Sequence, residues 1–187
     1  KPNTTPHPRQ ITQAVKRIAR AEKPVLYIGG GVIKANAARE LREFAELTGI
    51  PVVTTLMALG SFPDSHPQHM GMPGMHGSVP AVAALQRADL IIAIGARFDD
   101  RVTNNPAKFC PNAKVIHIDI DPATISKTIM AHIPIVGAVE PVLNEMLNQL
   151  KQMNVSKPNP EAIAAWWEQI NEWRKVHALK YEKIGRA

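Results

Sequence analysis

The sequence predicts a doubly wound α/β domain, in which a parallel sheet of five to six strands carries helices on both faces. The first indication is the run of apolar and small residues at 90–95, because a strand buried on both faces has a nearly continuous apolar sequence. The second is that such runs alternate with segments whose apolar residues recur at helical spacing. With 187 residues, 45% of them hydrophobic, the chain is long enough for one domain of this class.

Five short apolar segments are predicted as strands. They are residues 24–28, 51–55, 90–95, 115–120 and 133–136. Helices are predicted at residues 11–19, 36–48, 79–87 and 140–153. The second helix is expected to stop at Gly49, since glycine readily takes the left-handed conformation that ends a helix.

Two proline-containing segments bound the predicted domain. Prolines in residues 1–8 and again in residues 155–160 indicate extended linkers, so the domain body is predicted at residues 9–153. Residues 154–187 form a linker followed by a helix that holds all three tryptophans, Trp166, Trp167 and Trp173. We expect this helix to need a partner outside the domain; the alternative is that it folds back on its own core.

Composition excludes several classes of protein. The single cysteine, Cys110, cannot form an internal disulfide, and no apolar stretch approaches the roughly 20 residues of a membrane span. Both observations fit a reducing, cytoplasmic compartment. The net charge is +6, but Lys and Arg are scattered beside Glu in predicted helices, which argues against a nucleic-acid partner.

Charged residues follow the apolar run at 90–95. Ligands of open α/β sheets bind beyond the carboxyl ends of the strands, so this junction is the first candidate site. Arg97 and Arg101 offer planar donors suited to phosphate, and Asp99 and Asp100 can orient them. The alternative is a solvated charged turn.

Three glycines, Gly29 to Gly31, follow the first predicted strand. They do not complete the dinucleotide-binding fingerprint, because Lys34 stands at the third glycine position and Thr54 and Thr55 end the second strand without an acid. The glycines either let the backbone approach a phosphate or form a tight strand-to-helix turn.

Residues 54–78 show no periodicity and are predicted as a long loop. Its methionines, among them Met57 and Met75, could cover a flat aromatic ring or be ordinary packing residues. His66, His69 and His76 lack the spacing of a structural zinc site. Further along, Asp119 and Asp121 follow a strand; either could accept bonds from a ribose or adenine, but Asp121 is predicted to cap a following helix.

Taken together, these segments resemble a known family. Residues 29–31, 55–57, 71–77, 95–101 and 117–122 occur in the order and spacing of the central domain of acetohydroxyacid synthase, a thiamine-diphosphate enzyme. The most specific are Gly74 to Gly77, read Gly-Met-His-Gly, and Arg97 to Arg101, read Arg-Phe-Asp-Asp-Arg.

The resemblance implies an FAD site that serves structure more than redox chemistry. The residues that match the family's FAD contacts are Gly30, Thr55, Leu56, Gly74, Met75, His76, Gly95, Ala96, Arg97, Phe98, Asp99, Asp119, Ile120 and Val139. Asp100 and Arg101 resemble positions that line the substrate channel. Ala138 stands where the family commonly has Asp, so a side-chain contact there is not expected.

The resemblance also implies what the chain does not contain. The family condenses pyruvate with pyruvate or 2-oxobutyrate, using a Glu of the preceding domain and a Gly-Asp-Gly motif of the following domain to bind thiamine diphosphate and Mg²⁺. No aspartate here follows a glycine, so no catalytic and no metal-binding residue is expected in this chain. We expect the isolated chain to be inactive, and the full-length catalytic subunit to form a homo-oligomer that binds a small regulatory subunit.

Other classes of function remain open. A flavin-free structural or assembly domain of a related thiamine-diphosphate decarboxylase or carboligase would keep the sheet, but it should lack the two specific motifs. A nicotinamide-binding oxidoreductase would need the fingerprint that is missing here.

Overall fold

The computed structural model describes residues 5–99, 103, 105–153 and 159–177. Its centre is one sheet of six strands in the order β3-β2-β1-β4-β5-β6. Every neighbouring pair is parallel. The strands are β1 Pro24–Ile28, β2 Val52–Thr54, β3 His69–Gly71, β4 Leu90–Ile94, β5 Lys114–Asp119 and β6 Ile133–Val136. The predicted doubly wound, Rossmann-like class is therefore confirmed, with the chain reversing its direction of winding between β1 and β4.

Seven α-helices lie among the described residues. They are α1 Pro8–Arg20, α2 Gly31–Lys34, α3 Ala38–Thr48, α4 Val79–Arg87, α5 Pro106–Phe109, α6 Val139–Gln152 and α7 Pro160–Val176. Helices α1, α3 and α6 contribute to the apolar core on one face of the sheet. Helices α4 and α7 contribute to the core on the other face. No helix of the described residues is long and apolar enough to cross a membrane.

The helix boundaries follow from their terminal residues. Helix α3 ends at Gly49, whose φ of +70° is the left-handed conformation expected there. Helix α4 begins after Ser78, whose side chain accepts a hydrogen bond from the Ala81 amide at 3.2 Å. This bond satisfies a backbone N–H that the helix itself leaves without a partner.

Strand β3 corrects the prediction of one long loop at residues 54–78. It has only three residues and pairs with β2 alone, so it carries too few alternating positions to be read from periodicity. Contacts from elsewhere in the chain hold it in place. One Arg174 guanidinium nitrogen donates to the carbonyls of Pro67 and His69, at 3.0 and 2.9 Å.

Helix α7 corrects the expectation that the tryptophan-bearing segment needs an outside partner. It folds back on the domain, and Ile163, Trp166 and Ile170 are buried. The Trp166 indole donates to the Pro24 carbonyl at 3.0 Å, and the Trp167 indole donates to the Gly49 carbonyl at 2.7 Å. The apolar face of the helix packs beside α4 in the core on that face of the sheet.

Candidate functional site

The predicted site residues lie where strands of the sheet end. Gly30 follows β1, Thr55 and Leu56 follow β2, and residues 74–76 follow β3. Residues 95–99 follow β4, Asp119 ends β5 and Ile120 follows it, and Val139 begins the helix after β6. Because all the strands are parallel, these positions belong to one edge of the sheet, called here the carboxyl edge. Asp100 and Arg101 lie outside the described residues.

The glycines after β1 and β4 pack against each other. A Cβ atom at Gly31 would lie 2.7 Å from the Gly95 Cα, and a Cβ atom at Gly29 would overlap Ala96. The Gly29 amide donates to the Ile94 carbonyl at 3.0 Å, and the Gly31 amide donates to the Gly95 carbonyl at 2.9 Å. Two of the three amides in the triplet are thus bonded within the protein, which favours a tight turn over a phosphate cradle.

Gly30 and Thr55 join this turn to the end of β2. The Thr55 amide donates to the Ile28 carbonyl at 2.9 Å. A Cβ atom at Gly30 would lie 3.1 Å from the Met57 Cβ, so glycine here lets the 3₁₀ turn Leu56–Ala58 approach β1. Met57 is nevertheless 73% exposed, since its Cβ and carbonyl group, and not its thioether, lie against Gly30.

The loop after β3 is a compact structure. Gly71 and Gly74 have φ values of +100° and +95°, which favour glycine. The Gly77 amide donates to the Gly74 carbonyl at 3.0 Å, and the Ser78 hydroxyl donates to the Met70 carbonyl at 2.6 Å. The Gly-Met-His-Gly segment is therefore a defined turn that leaves Met75 and His76 exposed.

The segment after β4 alternates between the core and the surface. Ala96 and Phe98 are buried, whereas Arg97 and Asp99 are exposed. The Phe98 ring stacks on Tyr27 with centroids 5.1 Å apart and meets the edge of Phe109 at 5.9 Å. Phe98 and Ala96 could therefore contact a ligand only through their backbone. Among the described residues of this segment, Arg97 provides the exposed positive charge.

His117 lies beneath this segment and was not singled out from the sequence as a site residue. Its Nε2 atom is 2.8 Å from the Ala96 carbonyl, and its ring meets Phe98 at 5.2 Å. Burial lowers the pKa of His117, although the Ala96 bond and Asp119 oppose the shift. Burial therefore favours the neutral ring over the charged one. The signal in the sequence was a lone polar residue inside an apolar strand.

Tyr27 shares the same cluster. Its hydroxyl is buried without a hydrogen-bond partner, and burial, with Asp99 and Cys110 nearby, raises its pKa far above the ordinary value. Burial also raises the pKa of the Cys110 thiol to about 11. Neither group is a nucleophile near neutral pH.

The two aspartates after β5 stabilise local turns. Asp119 Oδ1 accepts a hydrogen bond from the Asp121 amide at 2.9 Å, and Asp121 Oδ1 accepts one from Ala123 at 2.9 Å. The predicted helix after Asp121 is wrong, because turns follow instead of a helix. Asp121 still acts as a cap, but of a turn, as Asx residues commonly do.

Apolar side chains are exposed along the carboxyl edge. Leu56, Met75 and Ile120 are 68%, 84% and 49% exposed, whereas Val139 is buried. Single exposed apolar side chains are ordinary on a protein surface, so it is their shared place at one edge, beside an exposed arginine, that makes this edge a candidate ligand surface. This edge therefore combines apolar surface for a flat ring with an arginine for an anion.

The histidines of the described residues do not form a metal site. Among these residues, no three His, Cys, Asp or Glu side chains are placed to hold a metal ion. His69 instead shares a 2.8 Å hydrogen bond with the buried Thr54 hydroxyl, and its ring lies 3.6 Å from the Asp64 carboxylate. This pairing joins β2 to the edge strand β3.

Comparison with known proteins identifies the family. The family model described as the thiamine pyrophosphate enzyme, central domain, matches residues 11–146. The acetolactate synthase large subunit of Mycobacterium tuberculosis (strain CDC 1551 / Oshkosh) is 59% identical over 181 residues, which cover 97% of this chain and 29% of the relative. That of Corynebacterium glutamicum is 63% identical over 166 residues, 89% of this chain and 26% of the relative.

A third relative extends the same result to another organism. The isozyme 3 large subunit of acetolactate synthase from Escherichia coli (strain K12) is 51% identical over 181 residues, 97% of this chain and 31% of the relative. The chain thus spans less than a third of the length of these relatives. The match to the family model covers most of the chain and the whole of the sheet. The chain therefore belongs to the central-domain family of the thiamine pyrophosphate enzymes.

Proposed function

We propose that this chain is the central domain of an acetolactate synthase catalytic subunit and that its carboxyl edge binds FAD. The names of the relatives support the enzyme, and the resemblance of the strand-end motifs supports the flavin. In this proposal the full-length protein condenses pyruvate with pyruvate or 2-oxobutyrate. Thiamine diphosphate and Mg²⁺ are then bound by domains on either side of residues 9–153.

One observation carries the flavin proposal. The same edge presents exposed apolar side chains at Leu56, Met75 and Ile120 and an exposed guanidinium at Arg97. A flavin nucleotide is a flat apolar ring joined to a diphosphate, so it needs both kinds of surface. When bound, FAD would supply a rigid ring system that covers this apolar edge.

The residues present fit such a ligand in separate roles. Leu56 and Met75 would cover rings, Arg97 would pair with phosphate oxygens, and the Asp119 carboxylate would accept ribose hydroxyl bonds. Gly74 allows close backbone approach, since it carries no side chain at a positive φ. Ala96, Phe98 and Val139 would contribute backbone contacts only.

The first experiment asks whether the purified chain retains FAD. The chain is incubated with FAD, freed of unbound ligand by gel filtration and examined by visible absorbance. Arg97→Ala is compared with Arg87→Ala, because Arg87 is also exposed but lies at the end of α4, away from the carboxyl edge. We expect bound flavin in the wild type and Arg87→Ala, and a loss of affinity of about tenfold or more in Arg97→Ala.

The outcomes separate the parts of the proposal. A folded chain that retains no flavin would show that the edge is not sufficient alone, and the full-length protein is then tested in the same way. Absence of flavin from both would overturn the FAD assignment. Equal retention in all three chains would overturn the role of Arg97.

A flavin-free assembly domain is the second candidate, because exposed Leu56, Met57 and Met75 could instead be covered by a neighbouring protein. Sedimentation of the chain at increasing concentration discriminates the two. Association that Met75→Gln weakens, without flavin binding, would favour the assembly role. A homo-oligomer, a regulatory subunit and a cytoplasmic location are further parts of the acetolactate synthase proposal.

A further inference from the structure

His117 occupies an unusual place for a polar side chain. It lies within β5 among apolar residues and has no solvent exposure. Its register neighbour on β4 is Ala93, and the next in the row on β1 is Tyr27. Burying an imidazole in an apolar layer is unfavourable unless a hydrogen bond compensates for the lost hydration. The hydrogen-bond partner of His117 therefore explains why the buried ring is stable there.

That partner defines the tautomer. His117 Nε2 lies 2.8 Å from the Ala96 carbonyl oxygen, and a carbonyl only accepts hydrogen bonds. Nε2 therefore carries the proton and donates it. Nδ1 is buried and has no hydrogen-bond partner. The direction of the pKa shift agrees with a neutral ring.

The bond also determines the orientation of the next peptide group. Every described peptide bond is trans, and in a trans peptide the carbonyl and the following N–H point in opposite directions. The Ala96 carbonyl points inward to His117, so the Arg97 amide points away from the core. Phe98 anchors the other side of Arg97, since its ring is buried against Tyr27 and His117.

We propose that His117 is a positioning residue for Arg97: its hydrogen bond to the Ala96 carbonyl presents the Arg97 amide and guanidinium to an anionic ligand at the carboxyl edge. This inference rests on the proposed function for the nature of the ligand. It assigns His117 no contact with that ligand. The hydrogen bond of the buried His117 acts on the exposed Arg97 through the single peptide group that joins Ala96 to Arg97.

The test compares three substitutions of His117. His117→Gln keeps an N–H donor near the position of Nε2, His117→Leu removes the donor, and His117→Asn keeps a polar amide that is too short to reach the Ala96 carbonyl. His132→Leu is the control, because His132 is exposed and its Nδ1 accepts a bond from Val115 at the opposite end of β5. Far-ultraviolet circular dichroism and thermal unfolding establish which chains fold.

Two readouts are measured on the folded chains. FAD retention should fall about tenfold in His117→Leu and His117→Asn and return to within about threefold of the wild type in His117→Gln. The ¹⁵N and ¹H resonances of the Arg97 amide, recorded without ligand, should move in the first two variants and stay near the wild-type position in the Gln variant.

The results distinguish this inference from the proposed function. If the wild-type chain binds no FAD, the Arg97 resonances still decide whether His117 orients the peptide. Unchanged Arg97 resonances in His117→Asn and His117→Leu would overturn the inference. So would a Gln variant as defective as Leu, and where Leu fails to fold, the comparison of Gln with Asn gives the answer.

Discussion

The indole N–H of Trp166 donates a hydrogen bond to the carbonyl of Pro24, 3.0 Å away and 142 residues earlier in the chain. Trp166 is 1% exposed, and its ring meets the edge of Trp173 with centroids 5.8 Å apart. The last described helix is thereby tied to the start of the first strand. Stability of the sheet therefore depends on a helix that the sequence analysis expected to need a partner outside the domain.

Replacing Trp166 tests this tie. Trp166→Phe keeps an apolar ring but leaves the buried Pro24 carbonyl without its donor, so the free energy of unfolding should fall by about 1–3 kcal/mol. Trp166→Ala should lower it by about 3–5 kcal/mol through the cavity it leaves. Urea unfolding followed by circular dichroism measures both. Trp167→Phe is the control and should be milder, because Trp167 is partly exposed; equal losses would contradict the argument.

Ending the chain at Met153 tests the role of the whole helix. The truncated chain would lose α7 and expose apolar surface of α4 and β1 that Trp166 and Ile170 cover. We expect binding of a hydrophobic dye and a lower, broader thermal transition than in the full chain. An unchanged transition without dye binding would mean that the helix adds little stability.

The contact between the β1 and β4 turns predicts different effects for two glycine substitutions. Gly95 has a φ of +58°, and a Cβ atom there would lie 2.8 Å from the Gly31 Cα. Gly60 has a φ of +90°, but a Cβ atom there would meet nothing within 4 Å. Gly60→Ala should therefore carry only backbone strain, about 1–3 kcal/mol, and Gly95→Ala should be distinctly worse. Chemical unfolding of both variants measures the difference, and similar losses would argue against the packing of the two turns.

The sheet could be predicted largely because a strand buried on both faces has a nearly continuous run of apolar residues. The predicted strands at residues 24–28 and 133–136 agree with β1 and β6, and the others differ only at their ends. Strand β3 has no such run, since its three residues are too few to show an alternation of apolar and polar side chains. Arg174, which holds β3, is distant in the chain, so no local pattern could reveal it.

The position of the candidate site could likewise be predicted, because every parallel strand delivers its following loop to the same edge. The roles of individual residues could not. Phe98 reads as part of a charged motif, yet its ring belongs to the core beside Tyr27. For the glycine triplet the sequence leaves both a phosphate cradle and a tight turn open, and the hydrogen bonds of two of its amides to the β4 segment favour the turn. Both outcomes depend on packing between segments far apart in the chain.

Stability should fall as the solution is acidified. Burial lowers the pKa values of His69 and His117 in the folded protein below the unfolded value of about 6.5. Partial loss of hydration, together with the nearby cations Lys114 and Arg17, lowers the pKa of the mostly exposed His132. The folded state then binds fewer protons than the unfolded state, so the stabilisation is fully present above about pH 6.5 and is lost as pH falls toward the folded pKa values. Urea unfolding at about pH 7 and pH 5 measures the slope. His117→Gln should reduce that slope, and a slope that is unchanged would contradict a buried neutral His117.

The single cysteine provides a final test of the aromatic cluster. Cys110 is buried and the pKa of its thiol is raised to about 11, so native protein presents about 100-fold less thiolate than an exposed cysteine at the same pH. A disulfide reagent that reacts with thiolates should therefore modify native protein at least about 100-fold more slowly than protein in denaturant. Because no other cysteine is present, the reaction reports this position alone. Phe98→Ala should accelerate modification, because it removes the ring that packs against Phe109, the residue before Cys110. Phe62→Ala is the control and should not accelerate it, because the Phe62 ring contacts His66 and His69 instead. Rapid labelling of the native wild type would show that the cluster is open to solvent.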